Sequence, residues 1–252
     1  YMQNSGIGNA INPLLSLTDT EVYSIPMLIL IGWRGEPGVK DEPQHVKQGR
    51  IQLALLESME LPYSIISSND KNFKPIVDKA IEKARTNESP YILLIKKNTF
   101  EKFVSTVEVN RDKIYGLKRE QVLNKIIEKI KKNSIIVSTT GKTSRELFEI
   151  RVKNNSSHSK DLLTIGSMGH CSSIALGIAK SNPKIDVFCI DGDGAMIMHM
   201  GALSNIGQEM PKNLKHILIN NFAHESVGGQ STASTVIDYC KLSEAMSYKK
   251  YY

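Results

Sequence analysis

Short apolar runs of strand length, separated by stretches with helical spacing, constrain this chain more than any other feature. Met27–Ile31, Tyr91–Ile95, Ser134–Val137, Asp186–Ile190 and His216–Ile219 are apolar nearly throughout. That is the pattern of strands buried on both faces of a parallel sheet. Between them lie helix candidates. Gln44–Met59 is one, and Asn72–Thr86 is another, with Asn72 placed to cap and Pro75 tolerable in the first turn. Lys118–Lys132 sets Val122, Leu123, Ile126, Ile127 and Ile130 on one stripe, and Thr143–Lys153, Cys171–Ala179 and Ala195–Met210 complete the set. Strand alternating with helix predicts a doubly wound α/β architecture, with mainly parallel sheets flanked by helices.

The chain has 252 residues, 40% hydrophobic and 23% charged, enough for one large domain or two of roughly 100–150 residues. A charged, irregular stretch at Ser105–Gly116 precedes the Lys118 helix and predicts two α/β units, residues 1–110 and 117–252. The first looks short of strands at its start and the second at its end. The longest apolar run, Ile25–Ile31, contains Pro26 and falls well below the ~20 residues of a membrane helix. The three cysteines, Cys171, Cys189 and Cys240, are odd in number and far apart in sequence, which argues against a disulfide framework or a zinc site. A reducing, cytoplasmic setting is expected. The net charge of +6 is placed partly on solvated helix faces such as Lys118–Lys132. With 6% aromatic residues the chain lacks the stacking groups of a nucleic-acid binder, and small anionic ligands are the expected partners.

Ligands of open α/β sheets bind beyond the carboxyl ends of the strands, and four polar, glycine-bearing turns occupy such places. Ser138-Thr-Thr-Gly-Lys-Thr-Ser144 ends in an imitation of a P-loop, but the position of the first P-loop glycine is Ile136, inside the strand. Its hydroxyls and helix-start N–H groups still suit a phosphate, although a simply capped helix start is an alternative. In Gly166-Ser-Met-Gly-His-Cys-Ser-Ser173 the glycines allow close approach of a ligand, or merely a packing turn. Asp191-Gly-Asp-Gly194 puts two acids at the end of a buried strand, costly unless a cation or hydrogen bonds compensate. Asn220-Asn-Phe-Ala-His-Glu225 offers amide and carbonyl oxygens, hard ligands for magnesium, one strand further along. A crossover helix between Asp193 and Asn221 would bring the two strand ends side by side.

Gly192-Asp-Gly194 followed, after one helix and one strand, by Asn220-Asn221 resembles the signature of the thiamine-diphosphate decarboxylase superfamily. Asn4-Ser-Gly-Ile-Gly-Asn9, Trp33-Arg-Gly-Glu-Pro-Gly38 and Asp41–Gly49 resemble the pyrimidine-side domain of phosphonopyruvate decarboxylases. Ser138–Leu147 and Asn221–Gln230 resemble the same family's diphosphate domain, and sulfopyruvate decarboxylases share most of these features. The resemblance spans essentially the whole chain. It implies two thiamine-diphosphate-binding-type units: residues 1–110 the C-terminal part of a pyrimidine domain, and residues 117–252 a diphosphate and magnesium domain.

The resemblance further implies decarboxylation of 3-phosphonopyruvate to phosphonoacetaldehyde and CO2, or alternatively of sulfopyruvate, with thiamine diphosphate and Mg2+. Asp193, the Asn221 side chain and the Ala223 carbonyl would hold the magnesium. Gly141, Lys142, Thr143, Gly194 and Ala195 would line the diphosphate. Within Gly166-Ser167-Met168, the Gly166 carbonyl and Met168 N–H would bond the aminopyrimidine, with the Met168 side chain wedged beneath; plain core packing is the rival reading of that methionine. His45 and His224, with Lys142 or Arg34, are candidates for anion contact or proton transfer. An active site between subunits, hence a homo-oligomer, is also implied. The family's activating glutamate belongs before the Asn4 motif, and Glu21, Glu36 and Glu42 stand in other contexts. The expectation is therefore a piece lacking both ends and poorly active alone. A phosphotransferase built on Gly141-Lys142-Thr143 and a non-catalytic subunit are the competing classes. A dinucleotide reading of Gly6-Ile-Gly8 lacks a third glycine and a preceding strand.

Overall fold

The computed structural model describes residues 1–101 and 116–252. The chain divides into two compact units, Tyr1–Val107 and Glu108–Tyr252. The expected boundary at 105–116 lies, apart from Gly116, outside the described residues. Both units are α/β, as the alternation predicts, and no helix among the described residues is long and apolar enough to cross a membrane.

In the first unit β1 (Met2–Gln3), β2 (Met27–Gly32), β3 (Tyr63–Ile66) and β4 (Pro90–Ile95) form a parallel sheet in the order β1-β2-β4-β3. β4 is buried along its whole length, with Pro90 at its first position, where proline is tolerated. Alternate residues serve two cores. Ile29, Ile31, Ile92 and Leu94 pack with Ile7 of α1 (Ile7–Leu15) on one face; Tyr91, Leu93 and Ile95 pack with Ala80 and Ala84 of α4 (Lys74–Thr86) on the other.

Several expectations are corrected here. A two-residue strand, β1, does precede Gly6-Ile-Gly8. The single helix expected over Gln44–Met59 is two, α2 (Pro43–Arg50) and α3 (Gln52–Ser58), interrupted at Ile51. Tertiary contact explains the break. The Trp33 indole N–H donates to the Gly49 carbonyl at 2.9 Å, and a Cβ on Gly49 would lie 1.9 Å from the Gly35 oxygen. Glycine at both positions lets the two backbones touch. α4 begins at Lys74, whose N–H donates to Asn72 Oδ1 at 3.0 Å, with Pro75 in its first turn.

The second unit holds β5 (Ile135–Ser138), β6 (Asp161–Leu163), β7 (Val187–Gly192) and β8 (Leu214–Ile219), parallel and ordered β6-β5-β7-β8. On one face Val137, Val187 and Cys189 pack against Cys171, Ala175 and Ala179 of α7 (Cys171–Ser181). On the other, Ile136 and Ile190 pack against Leu123 of α5 (Arg119–Lys129) and Leu147 and Ile150 of α6 (Lys142–Lys153). The crossover expected as one helix over Ala195–Met210 is α8 (Asp193–Met198) and α9 (Ala202–Glu209), parted where His199 leaves helical geometry at φ −132°, ψ 43°. An antiparallel ladder, β9 (Ala223–His224) with β10 (Gln230–Ser231), and α10 (Tyr239–Ala245) follow. Two of the cysteines are not apart in space: Cys171 and Cys189 are buried with their Sγ atoms 3.5 Å apart, and all three cysteines are free.

Candidate cofactor and metal site

The strand order of the second unit fixes where a ligand belongs. The chain leaves β5 for β6 on one side, then returns to β7 and β8 on the other, so the topological switch lies between β5 and β7. Loops leaving the carboxyl ends of those two strands diverge there and open a crevice. A cavity of about 50 Å3 lies at this place, lined by Thr139–Thr140 and Lys142–Thr143 after β5, Gly192–Ala195 after β7, and Asn221 and Ala223–Ser226 after β8.

Each loop is held by identifiable bonds. Thr139 N–H donates to the Ile190 carbonyl at 2.8 Å, locking the β5 loop to β7. Gly166 N–H donates to Thr140 Oγ1 at 3.0 Å, which draws the Gly166–Gly169 turn to the same edge. That turn runs through positive φ at Gly166 (78°), Ser167 (45°) and Gly169 (91°). A Cβ on Gly169 would lie 2.5 Å from His199 Cδ2, so close packing demands glycine. Asp193, 2% exposed, accepts from Thr232 Oγ1 at 2.6 Å. Asn221 Oδ1 accepts the Ala223 N–H at 3.2 Å, and its Nδ2 donates to Glu225 Oε2 at 3.3 Å.

The residues fit an anionic, metal-bearing ligand. The N-cap of α6 is Gly141, at φ 95° and with no side-chain cap, so the helix start at the crevice lacks the capping side chain of the simpler reading. Thr139 Oγ1 is buried without a hydrogen-bond partner and belongs to the cavity wall. A Cβ on Gly194 would stand 2.7 Å from the His224 ring, so only a bare backbone fits beneath that imidazole. The carboxylate of Asp193, the amide of Asn221 and the carbonyl of Ala223 are a hard oxygen set suited to magnesium.

Of the residues singled out in the sequence, Lys142, Thr143, Met168, Asp193, Gly194, Ala195, Asn221, Ala223 and His224 share this cavity wall. Gly141, Gly166 and Ser167 lie in the same loops but not in the wall, and Ser167 is exposed. Met168 is half-buried in the wall rather than packed in the core. His45 belongs to the first unit, where its Nδ1 lies 3.1 Å from Asp41 Oδ1. The Arg34 guanidinium, paired with both Asp41 oxygens, holds that carboxyl well below the usual carboxylate range.

Arg119 and Glu225 were missed. The Lys118–Lys132 face is not solvated at Arg119, whose side chain is 15% exposed. Arg119 pairs with Glu146 through two nitrogens and reaches Glu225 Oε2 at 2.6 Å, while Lys142 Nζ reaches Glu225 Oε1 at 2.6 Å. Burial works to raise the Glu225 pKa, but hydrogen bonds from Lys142 and Arg119 outweigh it and hold the carboxyl below its ordinary range. Burial likewise works against the Arg119 charge, and bonds from Glu146 and Glu225 outweigh it. A carboxylate of the chain itself therefore sits on two cations of the cavity wall.

Residues 139–251 match the model of the thiamine pyrophosphate enzyme C-terminal TPP binding domain. The chain is 32% identical over 260 residues to a phosphonopyruvate decarboxylase of Streptomyces viridochromogenes, covering 98% of this chain and 64% of that protein. It is 30% identical over 253 residues to a sulfopyruvate decarboxylase of Methanosarcina acetivorans, covering 92% and 62%. To sulfopyruvate decarboxylase subunit beta of Methanocaldococcus jannaschii it is 40% identical over 115 residues, 46% of this chain and 58% of that one. The chain thus spans somewhat less than two thirds of the length of these relatives. It is a homologue of the phosphonopyruvate decarboxylases and carries a thiamine-diphosphate-binding domain of the C-terminal type.

Proposed function

We propose that this homologue of the phosphonopyruvate decarboxylases serves a carboxy-lyase, binding thiamine diphosphate and Mg2+ to decarboxylate a small anionic 2-oxoacid, 3-phosphonopyruvate, in the cytoplasm. The observation that carries the reading is the meeting of Asp193, Asn221 and Ala223 with Lys142, Thr143 and Met168 in one cavity at the β5/β7 switch. Asp193, Asn221 Oδ1 and the Ala223 carbonyl hold the magnesium. Lys142, the first N–H groups of α6 including Thr143, and the backbone of Gly141, Gly194 and Ala195 take the diphosphate. Gly166, Ser167 and Met168 form the aminopyrimidine bed, with the Met168 side chain as its prop. His224 stands where it can meet a substrate anion or carry a proton at its imidazole, and His45 is the corresponding group of the first unit. Bound thiamine diphosphate supplies the electron sink into which the carbon–carbon bond of a 2-oxoacid breaks, releasing CO2. Residues 1–110 act as the pyrimidine-side domain and 117–252 as the diphosphate domain, in a homo-oligomer.

Sulfopyruvate is the second reading, favoured by the sulfopyruvate decarboxylase relatives, one of which is named as a subunit. Calorimetric titration with thiamine diphosphate, with and without magnesium and against magnesium-ATP, tests the cofactor. Saturable, magnesium-dependent binding that disappears in Asp193→Ala supports the reading, and binding of ATP instead overturns it. Assays with phosphonopyruvate and sulfopyruvate then decide the substrate.

A further inference from the structure

Behind β7, on the sheet face covered by α7, three ligand-type side chains converge that the cofactor cavity does not use. Cys189 and Asp191 project to the same side of β7, two residues apart, and His216 of β8 pairs in register with Cys189. Their Sγ, carboxylate oxygen and imidazole nitrogen all lie within 4.8 Å of one another. Cys189 and Asp191 are fully buried, and the His216 side chain is 7% exposed. Two of the three atoms are orphans. Asp191 Oδ2 and His216 Nε2 are 3.5 Å apart, and neither has a hydrogen-bond partner. A buried carboxylate oxygen and imidazole nitrogen that face each other at 3.5 Å with no hydrogen bond to either are costly, and a cation held between them would satisfy both.

We propose that Cys189, Asp191 and His216 form a binding site for a borderline-soft divalent metal of the zinc class, separate from the magnesium-type oxygen set at Asp193. The donor set fits: thiolate, carboxylate and imidazole are all zinc ligands, whereas magnesium has no use for sulfur. The charge closes. The metal displaces the Cys189 proton to solvent, so one thiolate and one carboxylate neutralise the dication. Burial and the neighbouring Cys171 and Asp191 otherwise hold the Cys189 thiol protonated.

The histidine has a partner on its other nitrogen, as metal-bound histidines have. His216 Nδ1 lies 3.1 Å from the Tyr248 hydroxyl, and with the proton on Nδ1 that contact would leave the Nε2 lone pair for the metal. Tetrahedral zinc spaces its ligand atoms by roughly 3–4 Å, so side-chain shifts of about an ångström close the site. Cys171 Sγ is engaged by the Val137 carbonyl at 3.3 Å, which leaves the fourth position to water. His216 and Tyr248 also line a cavity of about 450 Å3, a route for metal and water. This inference does not rest on the cofactor reading.

The test is titration of the chelator-stripped full chain with Co2+ as a spectroscopic stand-in for zinc. A single equivalent giving a cobalt–thiolate charge-transfer band, displaced by Zn2+ and not by Mg2+, is the expected result. Cys189→Ser abolishes the band, Tyr248→Phe weakens binding by about tenfold, and Asp193→Asn and Cys240→Ser leave the band intact. No band in folded wild-type chain, or one that survives in Cys189→Ser or vanishes in Cys240→Ser, overturns the proposal. Should Cys189→Ser fail to fold, Cys171→Ser and Cys240→Ser decide it by elimination: a band kept in both leaves Cys189 as the thiolate, and a band lost in either overturns the proposal.

Discussion

Replacing Asp193 by asparagine should separate what the residue does for ligand binding from what it costs the fold. The residue is 2% exposed, and its side-chain hydrogen bond among the described residues comes from Thr232 Oγ1 at 2.6 Å. One donor replaces little of the hydration an ionised carboxylate gives up. The substituted amide would keep the shape and the acceptor oxygen. It exchanges a charge-assisted hydrogen bond of about 1.5–3 kcal/mol for a neutral one of about 0.5–1.5 kcal/mol. Against that loss it removes a desolvation penalty of several kcal/mol. In chelator the variant should therefore be more stable by about 1–2 kcal/mol, a midpoint about 2–8 °C higher for a chain of this size. With magnesium and thiamine diphosphate at a hundred times Kd the wild type gains about 2.7 kcal/mol, and the variant gains nothing. Thermal melts of both proteins in both buffers read the four values. A variant that melts lower in chelator, or still responds to magnesium with thiamine diphosphate, refutes the reasoning.

Glu225→Gln removes the counter-charge from Lys142 and from Arg119 Nη1, leaving Arg119 paired with Glu146. Both lost pairs are partly exposed, so each is worth under about 1 kcal/mol, and pyrophosphate should bind about 2–5-fold tighter at neutral pH by calorimetry. Because the folded pKa of Glu225 is depressed, its ion pairs contribute stability above the ordinary carboxylate pKa and lose it as pH falls through the folded value. The wild-type deficit in pyrophosphate affinity relative to Glu225→Gln should shrink over that same descent, and a constant deficit would tell against Glu225 as the competing anion. Gly169→Ala must place a Cβ 2.5 Å from His199 and 2.9 Å from the Ala195 carbonyl at φ 91°, and should cost at least about 2 kcal/mol in urea unfolding. Met168→Ala, at a half-buried position of the cavity wall, should cost under about 1.5 kcal/mol of stability while weakening thiamine diphosphate binding. Equal thiamine diphosphate affinity in Met168→Ala would remove Met168 from the site.

The residues legible in the sequence are those whose signal is local. Lys142, Asp193 and Asn221 each follow an apolar run and sit beside a glycine or a second amide, so strand end and polar turn announce each other. Arg119 carries no such signal: its partner Glu225 lies 106 positions away, and the intervening topology is what joins them. The Cys189, Asp191 and His216 cluster is hidden for the same reason, since strand register rather than spacing aligns Cys189 with His216. Helix boundaries fail where tertiary contacts overrule periodicity, as at Ile51, next to the contact between Gly49 and Gly35. Of the missed strands, β1, β9 and β10 have two residues each and β6 three, too short to show a pattern, while the four residues of β3 are half Tyr63 and Ser64 and form no apolar run.

The loop after β8 carries Glu225 on the cations of the cavity and, separately, Asn221 and Ala223 of the oxygen set proposed for magnesium. Its base is tied at several points. Ser234 Oγ donates to Asn220 Oδ1 at 2.9 Å, Thr232 N–H donates to the Phe222 carbonyl at 3.0 Å, and Thr232 Oγ1 holds Asp193. The β9–β10 pairing of Ala223 with Ser231 closes the same base. Beyond it the chain turns at Gly228 and Gly229, both at positive φ. Asn221 and Ala223 thus belong to the tied part and Glu225 to the part beyond β9. In the proposed function, exchange of the Glu225 carboxylate for a diphosphate on Lys142 and Arg119 would break the bond from Asn221 Nδ2 to Glu225 but keep the Ala223 N–H bond to Asn221 Oδ1 and the tied base.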